Sequence, residues 1–453
     1  MKLVARLIVP VALLAGGLAP AAVAHASANS ATAGTRLWEQ AFTGGSSRNG
    51  LGTAMAVSPD RAVVYVTGFT AKEPGELDSD DTTLAYNSTT GAVLWEARYQ
   101  GVYHPQYRPA IVISPNGATL FVASDVHTSR GYNYLIEAYN ARTGALRWTA
   151  EPTGIESSVP AQHPLAVSPD SSAVFITGDT IVGHPRSYTT VAFSTATGEQ
   201  SWTAITPFLA PFQPSNIAVS PDGSAVFVIG EAGTVAYDAH SGATLWQADH
   251  KQGAVGLAVS PDSSAVYVTA VDGSQKDYWL TTAYSTASGA QLWAVRFTRR
   301  GDQDQAGSPE SLVVSPDGSQ VIVGGTAFPG TARSHFQLFS YDATTGAQLW
   351  AATYSASSGG PIGAEAMAIT PNGAEVALTG TLGGSADYKY VTAGFNATTG
   401  AQLWSAQLAG PAGSSSAPVS VGASPDSARV FVTGGSINDS IGSREYLTAA
   451  YHS

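Results

Sequence analysis

The chain of 453 residues contains no cysteine, only three methionines, and few charged residues, which make up 12% of the sequence. The absence of cysteine excludes disulfide bonds, thiolate metal sites and a lipid-modified N-terminal cysteine. A chain of this length can bury enough apolar surface to fold by packing alone. Its 48 glycines, together with abundant serine, threonine and alanine, are typical of turns and β-structure rather than of long helices.

Positive charge is also scarce. Lysine and arginine total 21 against 33 aspartates and glutamates, which gives a net charge of −12. Such a chain repels nucleic acid and anionic membranes. The apolar stretch LIVPVALLAGGLA follows the basic MKLVAR and precedes small residues, an arrangement typical of a secretory signal. We therefore predict a signal peptide over 1–26, a linker over 27–35, and a secreted monomer with no membrane insertion and no nucleic-acid partner.

Two phrases recur along the rest of the chain. The phrase ATTGAQLW occurs letter for letter at 343–350 and 397–404, and relatives of it recur throughout. A second phrase, related to AVSPD, occurs eight times at intervals of 40 to 56 residues. Repeats of this length indicate an array of similar supersecondary units.

Each unit contains the signals of four short strands. An apolar strand precedes Ser-Pro-Asp, which predicts a tight turn because proline fixes φ and aspartate binds back to the backbone. The second strand, such as AVFVIG (225–230), is apolar on both faces, as expected of a strand covered by two layers. A third strand ends in phrases such as VAYDA (235–239), a glycine turns the chain, and a fourth strand carries tryptophan.

Four strands per repeat predict a β-propeller, and a linear solenoid with polar caps is the alternative. The ends favour the ring, because the last unit lacks a tryptophan strand and residues 36–42 form one with no unit before it. We predict an all-β, eight-bladed propeller of four-stranded antiparallel blades over 36–453. Pairing of 36–42 with 444–451 completes the C-terminal blade and removes both sheet edges. One tryptophan per blade should wedge between neighbouring blades: Trp38, Trp95, Trp148, Trp202, Trp246, Trp293, Trp350 and Trp404.

These phrases resemble two known repeats. AYDAHSGATLW (236–246) and SYDATTGAQLW (340–350) resemble the tryptophan-docking repeat of the eight-bladed quinoprotein (pyrroloquinoline-quinone) propellers. SPDSSAVYVTA (260–270) and SPDRAVVYVTG (58–68) resemble the YVTN repeat of bacterial and archaeal surface proteins. The resemblance implies a WD40-like propeller architecture. In the quinone dehydrogenases it also implies a quinone held with calcium near the axis, and alcohol-oxidising members have a disulfide that this cysteine-free chain cannot form. We therefore expect no cofactor, with pyrroloquinoline quinone plus calcium as the alternative.

The two faces of a propeller have different turns. The turns between strands one and two and between strands three and four share one face, here built uniformly from Ser-Pro-Asp and Thr-Gly phrases, which we call the constant face. The other connections differ in length and chemistry and form the variable face, where we expect any ligand to bind. The short connection 231–233 predicts a notch there. A solvated acidic loop is predicted at 76–81, with a calcium site as the alternative there and at Asp302 and Asp304, and no histidines show zinc-ligand spacing.

The candidate ligand-binding residues all fall on variable-face segments. An aromatic and basic loop suits a sugar or a carboxylate, two phenylalanines suit an apolar partner, two arginines lie in a charged loop, and three glutamates precede inner strands at the channel mouth. Local packing is the alternative for the aromatic residues. The candidates are Tyr103, His104, Tyr107, Arg108, Glu156, Phe208, Phe212, Arg299, Arg300, Glu310 and Glu365.

Two classes of function remain open from the sequence. The first is a non-catalytic propeller that binds a protein or a glycan through its variable face. The second is an enzyme, either a quinone-dependent dehydrogenase or a glycan-active hydrolase or lyase that uses carboxylates at the channel mouth. Because the repeats contain no nucleophile elbow, phosphate loop or dinucleotide fingerprint, the sequence favours the first class and predicts no catalytic residues.

Overall fold

The fold was obtained as a computed structural model. It describes residues 32–44, 49–71, 78–103, 109–128, 131–152, 164–180, 187–207, 214–249, 253–272, 278–297, 307–327, 334–356, 360, 362–383, 388–438 and 443–453. Predictions that concern residues 1–31, the signal peptide among them, lie outside the described residues. Across the described ranges, no helix has the length and apolarity needed to cross a bilayer.

The described chain consists of 32 strands. The first, β1 (Arg36–Phe42), precedes blade 1, which contains β2 (Gly50–Val57), β3 (Val63–Ala71), β4 (Asp78–Asn87) and β5 (Val93–Tyr103). Blade 2 contains β6 (Ala110–Ile113), β7 (Thr119–Thr128), β8 (Gly131–Asn140) and β9 (Leu146–Ala150). Blade 3 contains β10 (Leu165–Val167), β11 (Ala173–Thr180), β12 (Ser187–Ser194) and β13 (Gln200–Pro207). Blade 4 contains β14 (Pro214–Val219), β15 (Ala225–Gly230), β16 (Gly233–Asp238) and β17 (Thr244–Asp249).

The second half repeats this plan. Blade 5 contains β18 (Ala254–Val259), β19 (Ala265–Asp272), β20 (Tyr278–Ser285) and β21 (Gln291–Phe297). Blade 6 contains β22 (Ser308–Val314), β23 (Gln320–Ala327), β24 (His335–Asp342) and β25 (Gln348–Tyr354). Blade 7 contains β26 (Ile362–Ile369), β27 (Glu375–Leu382), β28 (Lys389–Asn396) and β29 (Gln402–Leu408). Blade 8 contains β30 (Ser415–Ala423), β31 (Arg429–Asn438) and β32 (Ser443–His452).

The ring closes as the sequence predicts. Strand β1 pairs antiparallel with β32, with Arg36 opposite Tyr451 and Phe42 opposite Tyr446, so that blade 8 has the sheet order β1-β32-β31-β30. The other blades each contain four consecutive antiparallel strands. The apolar core is divided into one cluster at each junction between neighbouring blades. The eight-bladed closed propeller is therefore confirmed, and the solenoid is excluded.

The repeated Gly and Trp form the contact between blades. In the junction of blades 5 and 6, the Trp293 indole donates to the Ala343 carbonyl at 2.9 Å. The ring lies on Gly346, whose φ is 72° and where an added Cβ would meet the ring at 2.8 Å. The glycine thus supplies both the turn and the room for the indole. Each of the eight tryptophans docks on a glycine in this way: Gly91, Gly144, Gly198, Gly242, Gly289, Gly346, Gly400 and Gly34.

Trp404 differs in one respect. Its indole donates to the Glu375 carboxylate at 2.9 Å, whereas the other seven donate to a backbone carbonyl of the next blade. Glu375 also accepts from the Ser453 hydroxyl at 2.9 Å. This carboxylate therefore connects the junction of blades 7 and 8 to the end of β32.

The turns of the constant face are built from the Ser-Pro-Asp phrase. In blade 3 the Asp170 carboxylate accepts hydrogen bonds from the Ser168 hydroxyl, at 2.6 Å, and from the backbone amide and hydroxyl of Ser172. Together these bonds lower the pKa of Asp170 to about 2. In blade 2, Asn116 takes the same place and accepts from Ser114 at 2.8 Å. The residue after this aspartate or asparagine has a left-handed backbone conformation in every blade, and it is a glycine in four of the eight blades. Where this residue is a serine, its hydroxyl accepts a hydrogen bond from a backbone amide of the preceding blade. The Ser171 hydroxyl, for example, accepts from the backbone amide of Asn116 at 3.1 Å. That bond offsets part of the cost of positive φ.

One sequence interpretation is wrong. Residues 76–81 were predicted as a solvated acidic loop, but β4 begins at Asp78, and Asp80 and Asp81 are buried, at 5% and 3% exposure. The run of polar residues conceals a strand, and the Asp81 carboxylate shares a hydrogen bond with Glu137 of the next blade.

Candidate ligand-binding cavity

A cavity of about 770 Å³ lies on the propeller axis at the variable face. We call it the axial cavity. Residues of the first strand of every blade, or residues just before it, form its wall, together with one residue of the connection between β15 and β16. Its lining comprises Thr53, Ala54, Pro109, Ala110, Ile111, Pro164, Leu165, Pro214, Ser215, Asn216, Glu231, Gly253, Ala254, Val255, Glu310, Glu365, Val419 and Ser420.

Bulges determine which side chains the first strands present to this cavity. In six blades, the pairing of the first and second strands shifts register by one residue, which leaves one first-strand residue without a partner in the ladder. A bulge of this kind redirects a side chain away from its normal place in the pleat. All six looped-out residues line the axial cavity: Thr53, Ser215, Val255, Glu310, Glu365 and Val419.

The described wall is acidic. Glu310 in blade 6 and Glu365 in blade 7 lie at bulges, and Glu231 reaches the cavity from the short connection of blade 4. Burial raises the pKa of Glu310, and a hydrogen bond of 2.5 Å from the Ser308 hydroxyl opposes this effect. The described lining includes no lysine, arginine or histidine. The axial cavity therefore favours a ligand with positive charge.

The hydroxyl groups of the wall are engaged in structure. Thr53 donates to the Pro109 carbonyl of blade 2 at 3.0 Å, and Ser215 donates to the Ala254 carbonyl of blade 5 at 2.6 Å. Each bond joins the first strand of one blade to the start of the next blade, at or just before its first strand. Because these hydroxyls donate to carbonyls and contact no basic side chain among the described residues, neither is activated as a nucleophile.

The described wall does not fit pyrroloquinoline quinone. This cofactor carries three carboxylates, so a pocket for it needs cationic side chains or a metal ion to balance them. The described lining offers carboxylates instead. Over the same described ranges, no group of three or more His, Asp or Glu side chains is arranged to hold a metal ion.

Most predicted site residues lie outside the described residues. These are His104, Tyr107, Arg108, Glu156, Phe208, Phe212, Arg299 and Arg300. Tyr103 is the last residue of β5. Glu310 and Glu365 both line the axial cavity, although they lie within inner strands rather than before them. That they bind a ligand stays a prediction.

Sequence reasoning missed Glu231 as a residue of the cavity. The connection between β15 and β16 contains only two residues, as the predicted notch requires, and the Ala232 amide there donates to the Tyr188 hydroxyl at 3.0 Å. This short turn holds Glu231 beside Gly253, where an added Cβ would lie 3.7 Å from the Glu231 Cγ. The two-residue connection was the available signal.

A second acidic group lies away from the cavity. Glu137 of β8 is fully buried at the junction of blades 1 and 2, where it shares a hydrogen bond with Asp81 of β4 and accepts one from the Tyr139 hydroxyl. Burial, followed by the charge of Asp81, raises the pKa of Glu137 well above its ordinary value. At the position of Asp81, six other blades have an aromatic residue, so this carboxyl pair replaces an aromatic contact: Tyr134, Tyr188, Trp279, Phe336, Tyr390 and Tyr446.

Comparison with known proteins identifies the family. The family model described as outer membrane protein assembly factor BamB matches residues 23–274, 187–361 and 231–438. The chain belongs to the BamB family. No curated protein matches its sequence. The predicted likeness to quinoprotein propellers is thereby confirmed, while the YVTN likeness stays a prediction.

Solved structures share the fold at low identity. The BamB structure from Moraxella catarrhalis is 15% identical, with a TM-score of 0.52, and the alignment covers 92% of this chain and 99% of that one. Sqt1 from Chaetomium thermophilum, bound to the N-terminus of a ribosomal protein, is 16% identical, with a TM-score of 0.58 and coverage of 91% and 98%. The quinohemoprotein alcohol dehydrogenase of Comamonas testosteroni is 12% identical, with a TM-score of 0.55 and coverage of 92% and 76%.

Proposed function

We propose that the protein is a non-catalytic binding propeller that takes a cationic polypeptide segment into its axial cavity. The observation that carries this proposal is the bulged inner strands, which aim Glu310 and Glu365 into a 770 Å³ cavity that Glu231 also lines. A cavity of this size accommodates several residues of an extended chain or a small ligand. The carboxylates supply acceptors for lysine, arginine or an N-terminal ammonium group.

Binding is favoured over catalysis by what the wall residues do. The two hydroxyls at bulges, Thr53 and Ser215, are hydrogen-bonded to backbone carbonyls and hold neighbouring blades together. The rigid ring of junctions around them suits a preformed site, which lowers the entropic cost of binding. Sqt1, which has a similar fold, is bound to the N-terminus of a protein, so this architecture can hold a polypeptide end.

The proposal includes the place of action. The N-terminal sequence pattern predicts export, and the family to which the chain belongs is described by its role at an outer membrane. We expect the mature protein to act outside the cytoplasm. N-terminal sequencing of the mature protein, recovered from the medium or the cell envelope, should give a first residue near position 27. An intact N-terminus found in the cytoplasm would refute export.

Peptide titration tests the proposed function. A fluorescent hexapeptide with two lysines in a glycine and alanine background should bind the full mature protein and weaken at high salt, whereas its glutamate counterpart should not bind. The double variant Glu310→Gln/Glu365→Gln should lose at least about tenfold in affinity, because each charged hydrogen bond contributes roughly 1.5 kcal/mol or more. The variant Glu199→Gln, in an exposed turn of blade 3, is the matched control and should bind like wild type.

Two competing functions, a quinone-dependent dehydrogenase and a glycan-binding or glycan-active protein, are tested on the same purified protein. A rise in melting temperature with pyrroloquinoline quinone plus calcium, followed by dye reduction with an alcohol, would replace this proposal with the dehydrogenase. Saturable binding of neutral oligosaccharides with no binding of the lysine peptide would replace it with a glycan-binding or glycan-active function.

A further inference from the structure

An apolar crevice opens beside the axial cavity, between blades 8 and 1. Its volume is about 300 Å³. The ring of Phe69 is buried in its wall, and Tyr388, from the connection before β28, is 36% exposed at its rim. We call this space the side crevice, and its lining comprises Leu51, Gly52, Thr53, Phe69, Tyr388, Ser415, Ser416, Ala417, Val419, Gly435 and Ile437.

One residue of the crevice wall departs from the repeat. Gly435 occupies the position after the VTG-like phrase that recurs in the second strands, and the other seven blades have a side chain there: Phe69, Asp125, Asp179, Glu231, Val271, Thr326 and Thr381. A Cβ on Gly435 would lie 2.1 Å from Leu51 Cδ2. Leu51 of blade 1 therefore packs directly over the backbone of blade 8, in the place where the other blades carry a side chain.

The side crevice adjoins the axial cavity. Thr53 and Val419, both at bulges of inner strands, line the two spaces together. Proceeding around the ring, the carboxylates of blades 6 and 7 come immediately before blade 8 and the crevice. The combined site thus has an acidic part and an adjoining apolar part.

We propose that the combined site recognises a polypeptide segment in which a large apolar side chain enters the side crevice while a nearby lysine, arginine or terminal ammonium group binds Glu310 and Glu365. This inference rests on the proposed function and specifies the ligand. A cavity of roughly 150 Å³ with apolar walls can hold a benzene ring, so the crevice has room for a phenylalanine or leucine side chain. Charge complementarity in the axial cavity requires the neighbouring positive group.

Three labelled hexapeptides, blocked at both ends, test this proposal by fluorescence anisotropy on the full mature protein. The first contains lysines and one phenylalanine, the second replaces phenylalanine by alanine, and the third replaces lysine by glutamate. The position of phenylalanine is scanned along the first peptide to find its best spacing. At that spacing, the first peptide should bind roughly tenfold to a hundredfold more tightly than the second, as burial of one aromatic side chain predicts. The third peptide should bind most weakly.

Protein variants then locate the apolar contact. Ala417 is exposed and lines the side crevice, so Ala417→Trp should fill the space and remove the preference for phenylalanine without weakening the alanine peptide. Ala412→Trp places the same side chain on the exposed turn between blades 7 and 8, at a residue that does not line the crevice, and should leave both affinities unchanged. If Ala417→Trp does not fold, as judged by its melting temperature, Tyr388→Ala removes part of the rim and should reduce the same preference.

The outcomes separate this inference from the proposed function. Equal binding of the phenylalanine and alanine peptides at every spacing, with no effect of Ala417→Trp, would overturn the inference and leave the cationic-peptide function intact. Failure of both lysine peptides to bind would overturn the proposed function and the inference together. A phenylalanine preference that persists in Ala417→Trp would also overturn the inference, because it would place the apolar contact elsewhere.

Discussion

Replacing Glu137 by glutamine is expected to stabilise the propeller relative to wild type as the pH rises above about 4.5. Glu137 is buried beside Asp81, and burial together with that neighbouring charge raises its pKa well above the ordinary value of 4.5. The folded protein therefore holds a proton that the unfolded chain releases above this value. A glutamine keeps one donor for Asp81 and one acceptor for the Tyr139 hydroxyl, so it imitates the protonated carboxyl group.

The magnitude follows from proton linkage. The stability that the raised pKa contributes is fully present below about pH 4.5 and is lost as the pH rises towards the folded pKa, by up to about 1.4 kcal/mol per pH unit. Glutamine does not titrate, so the variant lacks this loss. The free energy of unfolding of Glu137→Gln minus that of wild type should thus increase as the pH rises through that window, with a slope of at most about 1.4 kcal/mol per pH unit.

Urea unfolding followed by tryptophan fluorescence measures this difference at half-unit steps from pH 4.5 to pH 8. Burial also raises the pKa values of Glu310, Glu375 and Glu445, but these groups are common to both proteins and cancel in the comparison. Glu199→Gln should show the wild-type pH dependence. Parallel curves for wild type and Glu137→Gln would refute the assignment of a retained proton to this junction.

Two further predictions, one for a contact between blades and one for a Ser-Pro-Asp turn, are tested by the same unfolding assay. Gly346→Ala places an alanine in a left-handed conformation and against the Trp293 ring, so it should lower the free energy of unfolding by about 2–5 kcal/mol. Gly117→Ala has the same backbone strain but only ordinary contacts, so it should lower that free energy by about 1–2 kcal/mol. Equal losses for the two variants would contradict the docking role of Gly346. Asp170→Asn should leave the free energy of unfolding unchanged at pH 7, because Asn116 closes the same turn in blade 2. Asp170→Ala should lower that free energy by about 1 kcal/mol, because it removes the acceptor of the turn. Because the pKa of Asp170 is lowered to about 2, wild type should become less stable than Asp170→Asn as the pH falls from about 4 through 2. A difference in the free energy of unfolding that stays near zero in acid would contradict this account.

The architecture was predictable because it depends on features that repeat. The Thr-Gly phrase recurs because a glycine must both turn the chain and receive an indole, and the unpaired tryptophan strand at 36–42 revealed the closure. Repetition turns weak local signals into a strong one, because eight copies agree. Comparison of the eight repeats also predicted which connections form the constant face and which form the variable face. It showed in addition that the connection between the second and third strands of blade 4 is short.

The site was less predictable because it depends on departures from the repeat. Sequence analysis selected Glu310 and Glu365 as residues at the channel mouth, but it could not detect that bulges aim them there, since a one-residue register shift leaves no pattern in a single chain. Asp81 was misread because a charged run suggests solvent, and its burial depends on a partner in the next blade. Which residues of other blades lie beside Glu310, Glu365 and Asp81 is determined by the closed ring, and a single sequence does not show it.

The most direct test of the central claim locates the bound peptide on the propeller. A photo-crosslinking group on the lysine- and phenylalanine-containing peptide, followed by mass spectrometry, should label the inner strands of blades 6, 7, 8 and 1 near the axial cavity, at residues 307–312, 362–366, 415–419 and 50–54. Excess unlabelled peptide should abolish this labelling. Labels on the Ser-Pro-Asp turns of the constant face or on the outer tryptophan strands would contradict the account.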